Sequence, residues 1–108
     1  IVIMDIREYV RKDGKNPFFL WIEKLDTQLM FRIRARLARI ESTNNLGDYK
    51  PIKGSAGVFE LRFKFGKGYR VYFGKENNKI IILLAGGDKS SQQRDIKKAT
   101  EYWEDYNA

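Results

Sequence analysis

Arg62, Lys64 and Arg70 stand in the run VFELRFKFGKGYRVYF, where apolar residues recur at every second position. On a strand that period places Phe59, Leu61, Phe63 and Phe65 on one face and Glu60, Arg62 and Lys64 on the other. Gly66, Lys67 and Gly68 predict a three-residue hairpin loop. The ladder then pairs Phe65 with Tyr69, Lys64 with Arg70, Phe63 with Val71 and Arg62 with Tyr72. On that register Arg62, Lys64, Arg70 and Tyr72 share one face. Guanidinium groups match phosphate oxygens in pairs, and a tyrosine ring offers a surface on which a base can stack. Lys64 opposite Arg70 is a like-charge pair, which weakens a sheet unless an anion lies over it. A polar sheet face turned to water would give the same alternation.

A second cluster follows the last apolar run. Gly86, Gly87, Asp88, Lys89, Ser90 and Ser91 place Lys89 beside the free amides of a helix N-terminus, an arrangement that suits a phosphate but also serves as an ordinary helix cap. Lys50 and Lys53 flank Pro51 in a loop entering the basic strand. Arg32, Arg36 and Arg39 form a stripe that reads as a solvated helix face. Trp21 and Trp103 read as core or partner-contact residues. The sequence contains no nucleotide-binding loop, metal-ligand spacing or nucleophile elbow.

Composition narrows the chemistry further. The 108 residues carry 21 Lys plus Arg against 14 Asp plus Glu, a net charge of +7, with no His and no Cys. Disulfides, thiolate nucleophiles and imidazole or thiolate metal sites are excluded, so acid–base work near neutral pH falls to Lys, Tyr, Asp or Glu. Between Lys50 and Lys75 seven cationic side chains stand against Glu60 alone. Such a patch favours a polyanionic partner, RNA first among them. No apolar run is long enough to span a membrane, and the charged start is unlike a secretory signal, so a cytoplasmic protein without membrane contact is expected.

The elements that must position these residues follow from periodicity. A strand is expected over residues 1–10 and a turn at Gly14. A short helix capped by Asn16 with Pro17 in its first turn comes next. Asp26 caps a longer helix with an apolar stripe of Leu29, Met30, Ile33, Leu37 and Ile40, ended by Asn44, Asn45 and Gly47. The hairpin strands and a third strand over Ile80 to Ala85 precede a final helix. Ser90 and Gln93 cap that helix as a box, and Ile96, Ala99, Tyr102, Trp103 and Tyr106 form its buried side. The order β-α-α-β-β-β-α predicts one α+β domain over residues 1–108, a small mostly antiparallel sheet packed against an αα-hairpin with a C-terminal helix.

The segments LRF, GYRV and GDKSSQQRDI, within the longer runs VFELRFKFGKGYRVYF and IIILLAGGDKSSQQRDIKKATEYW, resemble the RelE/ParE superfamily of toxin–antitoxin toxins, closest to its HigB-like, phage-associated branch. The resemblance covers most of the chain in element order and is specific from about Lys53 onward. It implies a RelE-like fold, a cognate antitoxin laid over the basic face, and in the nuclease members cleavage of mRNA on the ribosome without metal or cofactor. By position Arg62 and Arg70 match the arginines of the family's two adjacent strands, Lys89 the basic residue after the last strand and Lys53 the lysine-bearing loop before the sheet. Arg62, Arg70 and Lys89 are then the expected catalytic residues, with Lys89 or Lys53 moving a proton, and Lys53, Lys64, Tyr72 and Arg94 are the expected RNA-binding residues. ParE-like members instead inhibit DNA gyrase without chemistry, and a member that only binds RNA or its antitoxin would look the same. RelE-like members use a tyrosine on the final helix to orient RNA, whereas this chain has Gln92, Gln93, Arg94 and Asp95 there. Either Tyr72 replaces it from the sheet, or Asp95 acts as a base.

Overall fold

The computed structural model describes residues 4–108. Strand β1 spans Asp5–Glu8, so the opening strand is found over these four residues, and residues 1–3 lie outside the described part. Helix α1 (Pro17–Ile22) starts where Asn16 accepts a hydrogen bond from the Phe19 amide at 3.0 Å, with Pro17 at its first position. Helix α2 (Thr27–Thr43) starts where Asp26 accepts from the Leu29 amide at 3.1 Å, and it stops at Asn44 in the left-handed conformation. Short polar side chains satisfy the orphan amides of a first turn, and asparagine tolerates positive φ at a C-terminus.

Strands β2 (Tyr49–Pro51), β3 (Val58–Phe63), β4 (Tyr69–Glu76) and β5 (Ile80–Gly87) complete one sheet in the order β1-β5-β4-β3-β2. β1 runs parallel to β5, and the other pairs are antiparallel. The expected loop around Pro51 is instead the edge strand β2. Proline lacks the amide that a central ladder needs, and an edge position tolerates this. The three-residue turn between β4 and β5 is tight because Asn77 and Asn78 both take φ of 55°, a conformation asparagine tolerates.

The predicted hairpin register is displaced. β3 ends at Phe63, which pairs with Tyr69, and the connection holds five residues rather than three. Gly66 and Gly68, at φ of 55° and 73°, close a turn in which the Gly68 amide donates to Phe65 O at 3.1 Å. Phe65 has left the strand and lies under the Arg32 guanidinium, 3.8 Å from the ring centroid. Arg62 therefore faces Arg70, and Tyr72 faces Glu60. The loop lengthened by two residues, so the parity of the faces survives while the partners change.

Each face of the sheet buries its own cluster. Leu61, Phe63, Val71, Phe73 and Leu83 pack against Phe18 and Ile22 of α1 and Ile33, Leu37 and Ile40 of α2. On the other face Val58, Tyr72, Ile82 and Leu84 pack against Ala99 and Trp103 of α3, which spans Gln92–Asn107. The expected buried side of α3 is only partly buried at Ile96, Tyr102 and Tyr106, while Asp95 joins the buried set. The tryptophans sit over strand glycines. Trp21 lies over Gly86 and Trp103 over Gly74, where a Cβ would meet a ring atom at 2.1 and 2.3 Å.

Candidate functional site

Two rows of side chains cross the α3 face of the sheet. Lys50, Glu60, Tyr72 and Ala85 are successive ladder partners from β2 to β5, and Arg62, Arg70 and Gly87 form the next row. The two arginines are cross-strand neighbours, and each has its own carboxylate. Arg62 donates from Nε and Nη2 to Asp48 Oδ1 at 3.1 and 2.8 Å. Arg70 donates from Nε to Glu60 Oε1 at 2.6 Å and from Nη1 to Gly68 O at 2.7 Å. Like charges across a ladder repel, and these two acids offset that within the protein itself. The Arg62 guanidinium beside it holds the Asp48 carboxyl below its ordinary range, with Lys64 and Arg36 adding to the effect.

Gly68 joins this pair to Lys89. A Cβ on Gly68 would lie 3.6 Å from Arg70 Nη1 and 3.7 Å from Lys89 Cβ, and the Lys89 amide donates to Lys67 O at 3.4 Å. The β3–β4 turn and the end of β5 thus bring Arg70, Lys67 and Lys89 to one corner. Beside it lies an open depression of about 540 Å³ lined by Lys89, Ser90, Gln92 and Arg94. The corner is cationic and accessible, since Lys67, Lys89 and Arg94 are exposed.

The amides expected to greet a phosphate here are already engaged. Lys89–Ser91 form a 3₁₀ turn capped by Asp88, whose carboxylate accepts from the Ser90 amide at 2.8 Å and from Ser90 Oγ at 2.5 Å. Those bonds from Ser90 hold the Asp88 carboxyl below its ordinary range. The box is made by Asp88 and Ser91 and not by the expected Ser90 and Gln93: Ser91 Oγ accepts from the Asp88 amide at 3.3 Å while the Asp88 side chain caps the turn.

Other expected residues are placed differently. Tyr72 is fully buried beneath α3 with no exposed ring face, so the stacking surface expected on the sheet does not exist in this state. Burial, with Glu60 and Asp95 nearby, pushes its hydroxyl well above the ordinary tyrosine range. Lys64 is exposed and shares Asp48 with Arg62 at 3.8 Å, but it lies off the Arg70 register. Lys53 is exposed in the loop after β2 and makes no ion pair with a described residue. Asp95 is buried and accepts a hydrogen bond from Ser91 Oγ, which leaves it poorly placed as an open base.

Arg36 also departs from expectation. It is no solvated stripe residue, because its guanidinium donates to the carbonyls of Arg62, Leu46 and Asp48, the last two at 3.0 and 2.9 Å. It fastens α2 to the loop and strand that carry Asp48 and Arg62.

The residues missed from sequence are chiefly Glu60 and Gln92. Glu60 is 0% exposed, and its Oε1 accepts from Arg70 and, at 3.2 Å, from Gln92 Nε2. Its signal was the single acid among seven cations, on the polar face of a strand. Among the described residues no group of acidic side chains is arranged to hold a metal ion, and no helix is long and apolar enough to cross a membrane.

Comparison with known proteins places this geometry. A protein of Haemophilus influenzae, described as uncharacterized, is 45% identical over 83 residues, covering 76% of this chain and 81% of its own. An arginine-to-alanine double mutant of the E. coli toxin RelE in its free state has the same fold, with a TM-score of 0.63 over 92% of this chain and 96% of that one, at 11% identity. The RelE-like fold expected from the sequence is therefore found. A family model described as "Phage derived protein Gp49-like" matches residues 20–104, and the chain belongs to that family.

Proposed function

We propose that this protein is the toxin of a toxin–antitoxin module and cleaves mRNA on the ribosome as a metal-independent endoribonuclease. The observation that carries the reading is the Arg70 guanidinium, held on two sides, 15% exposed, and adjacent to Arg62 and Lys89 at the edge of an exposed cationic corner. Family and fold support a toxin in the cytoplasm with a cognate antitoxin as its protein partner. The cationic corner supports RNA as substrate.

In this mechanism the RNA's own 2′-hydroxyl loses its proton to water and attacks the neighbouring phosphorus, the 5′-oxygen of the next nucleotide leaves and takes up a proton, and a cyclic phosphate remains. Charge on the non-bridging oxygens rises in the pentacoordinate state. Arg70 and Arg62 stabilise it, as preorganised donors aimed at developing charge do. Lys89, whose Cβ lies beside Gly68 at the same corner, gives a proton to the leaving oxygen. Lys53, Lys64 and Arg94 contact the strand beyond the scissile phosphate. No cofactor enters.

Primer extension on a reporter mRNA in cell-free translation, with and without ribosomes, tests this. Breaks that require ribosomes and vanish with Arg70→Ala are expected. Intact RNA beside undiminished toxicity in cells would sink the nuclease reading and direct attention to gyrase.

A further inference from the structure

We propose that Glu60 is a positioning residue of this site, whose buried carboxylate fixes the Arg70 guanidinium for the phosphate. The inference rests on the nuclease reading above. Glu60 lies on β3, between β2 and β4, and it is reached from three further elements. Arg70 of β4 donates to Oε1 at 2.6 Å, Gln92 of α3 donates to the same oxygen at 3.2 Å, and Lys50 of β2 lies 3.8 Å from Oε2. Oε2 itself is buried with no hydrogen bond, and so is the hydroxyl of Tyr72, its ladder partner.

That arrangement is costly as architecture. A buried carboxylate loses its hydration, and an ion pair in such a place is often no more stable than apolar side chains of similar size. Val58, Tyr72, Leu84 and Trp103 already supply an apolar cluster on this face. An acid with one oxygen lacking a hydrogen bond and facing only a lysine at 3.8 Å is poor packing material there.

Its geometry suits another task. Arginine has five N–H groups, and the bonds to Glu60 and Gly68 take Nε and one hydrogen of Nη1. Nη2 makes no hydrogen bond with a described residue, so its hydrogens remain for an incoming anion. A planar fork anchored at its Nε side cannot swing, and a phosphate meets it in one orientation. Gln92 in turn ties the carboxylate to the first turn of α3, next to the depression lined by Lys89 and Arg94. Glu60 is negative, so it weakens attraction for RNA while it fixes direction. Positioning and binding are therefore expected to separate.

The test compares the full chain with Glu60→Gln, which keeps shape and loses charge, and with Glu60→Asp, which keeps charge and withdraws it from Arg70 Nε. Ribosome-dependent cleavage yields kcat and KM, and ¹⁵N NMR follows the Arg70 Nε–H resonance, assigned through Arg70→Lys. In the wild type that resonance is expected to be shifted and slow to exchange with water. Both variants are expected to release it and to lower kcat roughly 10- to 100-fold, as small misplacements of a catalytic group do. KM is expected to stay level or fall in Glu60→Gln. A released resonance with unchanged kcat would overturn the proposal, as would a wild-type resonance that exchanges freely. A rise in KM with kcat unchanged would also overturn it, making Glu60 a binding residue. Should the wild type cleave nothing, the nuclease reading falls and the catalytic role of Glu60 with it, while NMR still reports whether Glu60 holds Arg70.

Discussion

A Cβ on Gly74 would lie 2.3 Å from Cζ3 of Trp103, so α3 rests on the sheet at a point where the strand offers no side chain. The Trp103 ring is stacked on Tyr106 at 5.5 Å and is 8% exposed, which leaves it little room to yield. Gln92 stands at the start of the same helix, and its bond to Glu60 depends on that seating.

Gly74→Ala is accordingly expected to destabilise the protein by about 1–3 kcal/mol, the usual cost of forcing atoms into a packed interior. Thermal melts check it. Pairing the change with Trp103→Leu should recover part of the loss relative to the sum of the two single variants, because the clash is between these two residues.

Arg36 binds three carbonyls that no shorter or unforked side chain can reach together. Arg36→Met keeps the aliphatic stem and should cost roughly 2–3 kcal/mol through the lost charge-assisted bonds. Arg36→Lys should not restore it, since an ammonium lacks the planar fork. Urea unfolding of both variants decides this, and full recovery by lysine would contradict it.

The Arg62–Asp48 pair makes stability fall in acid. The Asp48 carboxyl is depressed in the folded protein, so its contribution is present above the unfolded value of about 4 and is lost as pH falls through the lower folded value. The pair is partly exposed, and the effect is expected to be no more than about 1 kcal/mol. Asp48→Asn should flatten the acid limb of the unfolding midpoint against pH and leave the neutral-to-alkaline limb unchanged.

Arg70→Lys retains a cation beside Glu60 and so avoids stranding a buried carboxylate. Cleavage is expected to drop about 10²–10³-fold, in line with removal of a preorganised donor, with the melting temperature within about 5 °C of wild type. Equal losses of activity and stability would assign the arginine to the fold instead.

Lys89 carries an exposed charge beside Arg70. Lys89→Met should weaken RNA binding across sequences and reduce the slope of log affinity against log salt by about 1. An unchanged slope would remove Lys89 from the RNA contact.

Local chemistry made much of the fold legible. Asn16 with Pro17, and Asp26, act within a few residues of themselves, so their caps could be read directly. The alternation around Arg62 and Arg70 correctly assigned both to one sheet face, because side-chain parity is a property of the strand alone. Two glycines in the hairpin turn hid its length, and with it the ladder partners. The edge strand at Tyr49–Pro51 was hidden by its proline.

What the sequence determined was the elements apart from the edge strand β2, most of their apolar faces and the concentration of cations in one stretch, all of which follow from neighbours in the chain. What lay beyond it was the fate of individual polar groups. Tyr72 is buried because α3 crosses that face, Arg36 is a fastener because a loop ten residues on curls back to it, and Glu60 meets Arg70 and Gln92 because three elements converge there. Burial and pairing depend on contacts between residues distant in sequence, and only the packed molecule brings those together.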